Sequence, residues 1–189
     1  MTDAASPPLA APPPDDGTEY LPYYGRYVRL VPAGDVLATL DAQLADTVAV
    51  VDALGEARAG HRYAPGKWSV RQLLGHAVDT ERIFTYRALA AARGEPGPLP
   101  AFDENAYAEH GGFEARSLGS LLGEWAAVRR ATLAFFRHLD DAALRRRVVA
   151  NGAPMSARAA AWIIAGHERH HRDVLRTRYL GGRPDGGPS

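Results

Sequence analysis

Three of the chain's seven histidines lie in one short segment, residues 163–171, which reads IIAGHERHH. His167 and His171 are four residues apart, so on a helix their side chains lie on one face with Cβ atoms roughly 6 Å apart. That spacing suits two imidazoles that bind one cation at about 2.0–2.1 Å each. His170 competes for the same role, because it is three residues from His167 and is also its neighbour on a helix.

The apolar pattern of this segment separates the three histidines. The apolar residues between positions 160 and 175 continue the line through His167 and His171, whereas His170 groups with polar positions. We therefore expect His167 and His171 to face the interior and His170 to lie at the rim. A packed or exposed histidine pair without a metal is the alternative that the pattern leaves open.

The same segment spells H-E-x-x-H, the pattern of zinc proteases. In those enzymes the glutamate activates the metal-bound water, and a third ligand follows further along the chain. Here no histidine follows His171, and Glu168 lies four residues before Arg172, a spacing that favours a surface ion pair. The pattern therefore does not favour a protease.

His76 is the upstream histidine that lies inside an amphipathic helical segment. Thr80 and Arg87 share its face, so its side chain is expected to point at the interior along a partly polar track. Beside an inward histidine pair it becomes the candidate third ligand. Asp79 could orient an imidazole, approach the metal or act as general base. The alternative for Asp79 is a salt link to Arg82 or Arg87.

Four long segments have the apolar spacing of amphipathic helices. They cover approximately residues 35–58, 69–94, 117–138 and 156–180. Ser69 and Gln72 form a capping box, Gly94 fits the position just past a helix, and Ser156 opens the last segment. This pattern, with little that resembles a strand, predicts an all-α four-helix bundle.

The second and third helices are joined by a long connection, residues 95–116. Connections longer than about 12–15 residues are uncommon and are often functional. We predict that a substrate pocket over one end of the bundle is lined by Asp103, Asn105 and Tyr107. The carboxylate of Asp103 or of Glu104 is an alternative to Asp79 as general base. A solvated linker without a role is the competing interpretation.

The composition limits the classes of function. The chain has 22 basic and 22 acidic residues and no basic block, which argues against nucleic-acid binding. No apolar run approaches the roughly 20 residues that span a bilayer, so no membrane contact is expected. Without cysteine, any metal must be held by histidine and carboxylate. The start has no secretory signal, and a cytoplasmic location is expected.

The chain is expected to divide into three regions. Residues 1–18 are rich in proline, alanine and aspartate and are predicted to be a disordered leader. Residues 19–180 form the bundle, and residues 181–189 form a flexible tail. The oligomeric state is left open, with a homodimer among the options.

Three separated motifs resemble the DinB/YfiT-like superfamily of metal-dependent enzymes. In order, they read KWSVRQLLGHAVDTERIFTYRALAAARG, LPAFDENAYA and MSARAAAWIIAGHERHH, within a match that covers roughly residues 20–180. The resemblance implies a four-helix bundle with a long crossover between helices two and three. It also implies a divalent ion, commonly zinc or nickel, on one histidine of helix two and an H-x-x-x-H pair of helix four. Carried over, the ligands are His76, His167 and His171.

The resemblance implies two classes of activity on a small-molecule substrate. One is hydrolysis, and the other is transfer or isomerisation that uses a low-molecular-weight thiol such as bacillithiol or mycothiol. Three histidine ligands leave an open coordination position, as in catalytic metal sites. The prediction is therefore a divalent-metal-binding protein that acts as a hydrolase or a thiol S-transferase. The alternative is a non-catalytic protein in which the ion stabilises the bundle.

Overall fold

The computed structural model describes residues 9–13 and 15–181. In chain order the helices are α1 Gly25–Val28, α2 Val36–Leu54, α3 Val70–Arg93, α4 Glu104–His110, α5 Leu118–Phe136, α6 Asp141–Arg145 and α7 Ala157–Val174. A π-helical turn, Leu175–Tyr179, extends α7, and short 3-10 turns cover Pro22–Tyr24, Glu56–Arg58 and Phe113–Ala115. Helices α2, α3, α5 and α7 form the predicted four-helix bundle. Among the described helices, none combines the length and apolar character needed to cross a bilayer.

The helix ends follow the local signals in the sequence. Ser69 accepts a hydrogen bond from the Gln72 backbone, and the Gln72 side chain accepts one from the Ser69 N–H, which completes the capping box of α3. Gly94 ends α3 with a φ of 74°, in the left-handed region that suits glycine. Ser156 caps α7 by accepting from the Ala159 N–H. These predicted boundaries are confirmed.

The two histidine-bearing helices pack directly against each other. Helix α3 makes its most extensive contacts with α7 and then with α5, while α2 packs against α7 and α5. Gly166 allows a further close approach, because a Cβ at this position would lie 2.0 Å from the backbone oxygen of Tyr27 in α1. Helix α1 therefore covers α7 at the level of His167.

A short β-hairpin, which the sequence pattern does not indicate, precedes α7. Strands β1, Arg147–Ala150, and β2, Ala153–Ser156, are antiparallel. Asn151 and Gly152 join them with φ angles of 53° and 74°, as a type I′ turn requires. Leu99 lies beside this hairpin, since its N–H donates to the Val149 oxygen at 2.8 Å. Four-residue strands are too short for alternation to show in the sequence.

The long connection between α3 and α5 is partly helical. Asp103 caps α4 by accepting hydrogen bonds from the Asn105 and Ala106 N–H groups. Phe113 then packs against α3, where a Cβ on Gly75 would lie 2.4 Å from its ring. The connection is thus held against α3 just after the end of α4.

Part of the proline-rich leader packs on the bundle. Leu9 is 4% exposed and belongs to the main apolar core, and its carbonyl oxygen accepts from the Val36 N–H at 3.2 Å. Asp15 forms an ion pair with Arg29 at 2.5 Å. These contacts come from an apolar side chain, a helix N-terminus and an arginine, which composition does not reveal. The division of the chain into leader, bundle and tail stays a prediction. Residues 1–8, residue 14 and residues 182–189 of the predicted tail lie outside the described residues.

Candidate metal centre

Three histidine side chains converge between α3 and α7. The Nε2 atom of His167 lies 3.0 Å from Nε2 of His76 and 3.0 Å from Nε2 of His171. All three residues are at most 9% exposed. Their candidate ligand atoms lie within 4.8 Å of one another. The structure thus brings together the three residues that the sequence predicted as ligands, and we call them the histidine cluster.

Hydrogen bonding alone does not satisfy this cluster. A neutral imidazole nitrogen either donates one proton or accepts through one lone pair. Nε2 of His167 faces two other Nε2 atoms at once, so one of these contacts lacks a complementary partner. A single cation accepts the lone pairs of all three nitrogens. Donors at 2.0–2.1 Å from a tetrahedral ion lie about 3.4 Å apart, so the observed contacts need to lengthen by only a few tenths of an ångström.

Burial keeps these imidazoles in the neutral form that binds metal. Desolvation lowers the pKa of His76 to about 4, with a smaller contribution from His170. Desolvation also lowers the pKa of His167 and of His171 well below the ordinary value, and neighbouring histidines add to the effect. Neutral imidazole is the ligand form of histidine, so the donor set fits a divalent ion.

Aromatic rings enclose the histidine cluster from two sides. The Trp68 ring lies 4.5 Å from the His76 ring, and the Tyr27 ring lies 5.2 Å from the His167 ring, centroid to centroid. The hydroxyl of Thr80 lies 3.5 Å from Nδ1 of His76. These neighbours limit access of water and leave the Nε2 atoms free to face one another.

Glu168 does not form the surface ion pair that its spacing favours. The residue is 2% exposed and faces the bundle core, where Arg129 donates to its Oε2 at 2.7 Å and Thr47 donates to its Oε1 at 2.7 Å. Arg172 instead pairs with Asp46 at 3.0 Å. The glutamate of the H-E-x-x-H pattern is thus engaged away from the histidine cluster, which agrees with the rejection of a protease.

Asp79 takes the alternative role that the sequence allowed. Its carboxylate lies 3.6 Å from the Arg82 guanidinium, and it borders a surface hollow with Tyr107 and His110. Desolvation raises the pKa of Asp79. The group near Nδ1 of His76 is Thr80, so the structure does not place Asp79 in the predicted orienting role.

The three predicted pocket residues of the connection have different positions. The Asp103 carboxylate accepts hydrogen bonds from backbone N–H groups as the N-cap of α4. Tyr107 is 47% exposed and packs on Phe102, with ring centroids 5.4 Å apart. Asn105 borders a cavity beside His171. Of the three, Asn105 alone lies at a cavity that reaches the histidine cluster.

Two cavities reach the histidine cluster from different sides. The first cavity has a volume of about 290 Å³, and His167 forms part of its wall together with Tyr27, Thr80, Phe84, Arg87, Phe102 and Glu104. The second cavity has a volume of about 250 Å³, and His171 forms part of its wall together with Trp68, Glu104, Asn105, His170 and Tyr179. Glu104 borders both cavities. Desolvation, and then the charge of Asp103, raises its pKa.

A family model described as the DinB superfamily matches residues 39–175. This chain belongs to the DinB superfamily. Its fold is similar to that of YfiT from Bacillus subtilis, described as a probable metal-dependent hydrolase with an unusual four-helix bundle topology. The TM-score is 0.63 at 20% identity, over 87% of this chain and 95% of that one. No curated protein sequence matches the chain.

Sequence reasoning about this DinB-superfamily protein missed two residues of the first cavity. Tyr27 lies in a segment without helical periodicity, and only the packing of α1 on Gly166 brings it to His167. Arg87 shares the helical face of His76, which the sequence shows, but the sequence offers it a role only as a possible salt-link partner of Asp79. The residue is 2% exposed.

Proposed function

We propose that this DinB-superfamily protein is a metal-dependent hydrolase of small molecules, with the ion on His76, His167 and His171. The observation that carries the proposal is the convergence of three buried Nε2 atoms, with one cavity bordered by His167 and another by His171. Three nitrogen donors suit zinc or nickel, which are the metals we propose. The likeness to YfiT supports hydrolysis, because that protein is described as a probable metal-dependent hydrolase.

The residues around the histidine cluster would have separate roles in such a reaction. Bound to three nitrogens, a divalent ion would supply an open coordination position and lower the pKa of a water ligand toward 7. Glu104 would accept the proton, since its raised pKa moves it toward the working range of a general base. Trp68 and Tyr27 would exclude bulk water from the histidines. The first cavity would hold the body of the substrate.

Thiol S-transfer is a second candidate, favoured by the presence of two cavities. One cavity would hold an electrophilic small molecule and the other a low-molecular-weight thiol, with the histidine cluster between them. The chain has no cysteine, so the thiol would be a cosubstrate. A metal or an adjacent positive charge favours the thiolate, which is the nucleophilic form.

Elemental analysis of protein purified without a histidine tag tests the metal site. We expect about one equivalent of zinc or nickel in the wild type, and loss of this metal in His76→Ala, His167→Ala and His171→Ala. His170→Ala is the matched control, because this residue lies on the same helix but outside the cluster. Loss of metal from the His170 variant, with retention in the His171 variant, would contradict the assignment.

Activity screens with Glu104→Gln test the reaction. Turnover of esters or lactones without a thiol supports hydrolysis, whereas turnover that requires an added thiol supports transfer. We expect Glu104→Gln to lower kcat by about a hundred-fold or more with metal content unchanged. Glu109→Gln, an exposed position on the same helix, is the control. No turnover of any substrate, together with a melting temperature that falls when metal is removed, would favour the non-catalytic alternative.

A further inference from the structure

Arg87 is a buried cation in the wall of the first cavity. It lies on α3, eleven residues after His76, and is 2% exposed. His167 of the histidine cluster borders the same cavity. The cavity therefore connects the candidate metal site with a guanidinium that the reaction described above does not use.

The guanidinium of Arg87 has few partners. Its Nη2 donates to the Pro100 oxygen at 3.1 Å, and its central carbon lies 5.1 Å and 5.8 Å from the ring centroids of Phe84 and Phe102. Its Nη1 has no hydrogen-bond acceptor in the described part of the chain, and no carboxylate there lies within ion-pair distance. Burial of an unpaired charge is unfavourable, and proteins ordinarily offset it with an anion.

The acidic residue of the first cavity lies near its histidine end. Glu104 also borders the second cavity, and its charge contributes to the raised pKa of Tyr27, whose ring packs on His167. Thr80, beside His76, and Arg87 are seven residues apart on α3, which corresponds to about 10 Å along a helix. The cavity thus has a metal-binding end and a cationic end. Tyr24, Phe84 and Ile163 contribute apolar wall.

We propose that the first cavity selects substrates that carry a carboxylate, which the guanidinium of Arg87 binds. The proposal rests on the proposed function, because the reactive group of the same molecule would face the histidine cluster. A carboxylate suits the site better than a phosphate dianion, since one guanidinium offsets one negative charge. The aromatic walls suit an apolar body between the two ends. Arg87 is then a specificity residue, and the substrate class is an apolar carboxylic acid with a second, hydrolysable or electrophilic group.

Calorimetric titration of charged and neutral probe pairs tests this assignment. The probes are phenylacetate and hydrocinnamate, each compared with its primary amide, which keeps the shape and removes the charge. We expect wild-type protein to bind at least one carboxylate about ten-fold or more tightly than its amide, as a charge-assisted hydrogen bond predicts. Arg87→Gln should abolish this preference and leave affinity for the amide nearly unchanged. Arg87→Lys should restore part of the preference.

Metal-free protein separates this test from the test of the metal site. A carboxylate can also bind an ion directly, so each titration is made on chelator-treated protein and on zinc-loaded protein. The Arg87-dependent preference for the carboxylate over its amide should persist without metal. It can therefore be measured even if the metal-site proposal fails. Arg93→Gln, at the exposed end of the same helix, should leave both affinities unchanged.

The outcomes are decisive in either direction. Equal affinity for carboxylate and amide in the wild type, or no binding of either, would overturn the proposal. An equal loss of both affinities in Arg87→Gln would show that the arginine only holds the Pro100 segment in place. If Arg87→Gln does not fold, Arg87→Lys and the wild-type probe pairs on metal-free protein carry the test: a preference that the lysine variant leaves unchanged in size would overturn the assignment to the guanidinium.

Discussion

Arg129 in the bundle core and Arg87 in the first cavity are buried to the same degree, at 3% and 2% exposure. Every guanidinium nitrogen of Arg129 donates a hydrogen bond, to Glu81, to Glu168 or to the Leu40 oxygen, at distances of 2.6–2.9 Å. The guanidinium of Arg87 donates to one carbonyl oxygen. The first charge is neutralised inside the fold, whereas the second is left for a molecule that enters the cavity.

Arg158 is intermediate between these two. It is 9% exposed, and its guanidinium donates to the single carboxylate of Glu19, with Nε–Oε2 at 2.7 Å. Ser156 donates to the same carboxylate at 2.7 Å. Among the described residues, Arg129 thus has two acidic partners, Arg158 has one and Arg87 has none. Burial is similar for Arg129 and Arg87, so what distinguishes these two side chains is the number of acidic partners among the described residues.

Replacement of Arg129 tests the fully paired end of the series. Arg129→Met leaves two carboxylates buried without a cation, and we expect a loss of about 3–5 kcal/mol in the free energy of unfolding. Urea denaturation measures this loss. Arg137 is the C-cap of the helix that carries Arg129, and its exposed ion pair is with Asp41 of α2. Arg137→Met should change stability by less than about 1 kcal/mol. Recovery in the triple variant Glu81→Gln, Arg129→Met, Glu168→Gln would assign the loss to the unpaired charges.

Replacement of Arg158 tests the middle of the series. Arg158→Met leaves one carboxylate, and Ser156 still donates to it, so the expected loss is about 1–3 kcal/mol. Urea denaturation under the same conditions gives the comparison with Arg129→Met. A loss as large as that of Arg129→Met would show that the number of partners does not set the effect.

The acid stability of the protein depends on Glu19 in a predictable direction. Desolvation opposes ionisation of Glu19, but hydrogen bonds from Arg158 and Ser156 outweigh it and lower its pKa below 4.5. Because the folded pKa is below the unfolded one, this stabilisation is full above pH 4.5 and is lost as the pH falls through the folded value. The difference in free energy of unfolding between wild type and Glu19→Gln should therefore shrink in acid. If this difference in the free energy of unfolding stays constant with pH, the ionised form of Glu19 does not contribute to stability.

Replacement of Arg87 should have the smallest effect on stability. Arg87→Met removes a buried charge that has no acidic partner in the described chain, so a desolvation penalty disappears together with one hydrogen bond. We expect the free energy of unfolding to change by less than about 1 kcal/mol, in either direction. A loss of about 3 kcal/mol or more, as for Arg129→Met, would make Arg87 a structural residue.

The helices and the histidine cluster could be predicted because their determinants are local. The capping box of Ser69 and Gln72 and the left-handed Gly94 operate within a few residues of the chain. The pair His167 and His171 shares a helical face through its four-residue spacing. The prediction of His76 as third ligand also required the assumption that its amphipathic helix faces the helix of His167 and His171. The resemblance to the DinB/YfiT-like superfamily implied the same three residues.

The partners of charged residues could not be predicted in this way. The spacing of Glu168 and Arg172 favours a surface pair, yet Glu168 bonds to Arg129, 39 residues away in the chain. Asp79 is one turn from His76 on the helix, but its carboxylate faces Arg82 and the α4 side. The spacing of residues along a helix shows which of them are neighbours on that helix, but it does not show which other helix packs against them.

The helical pattern, the caps and the spacing of the metal-ligand candidates follow from the order of the residues alone, since each depends on interactions within about four residues. The burial of Leu9, the contact of Tyr27 with His167 and the position of Glu104 beside two cavities follow instead from the packing of distant segments. Packing also gives Arg129 two carboxylate partners, whereas Arg87 has none within the described part of the chain. The physical reason is that the energy of a buried charge depends on every group packed around it, and those groups come from helices that are distant in the chain.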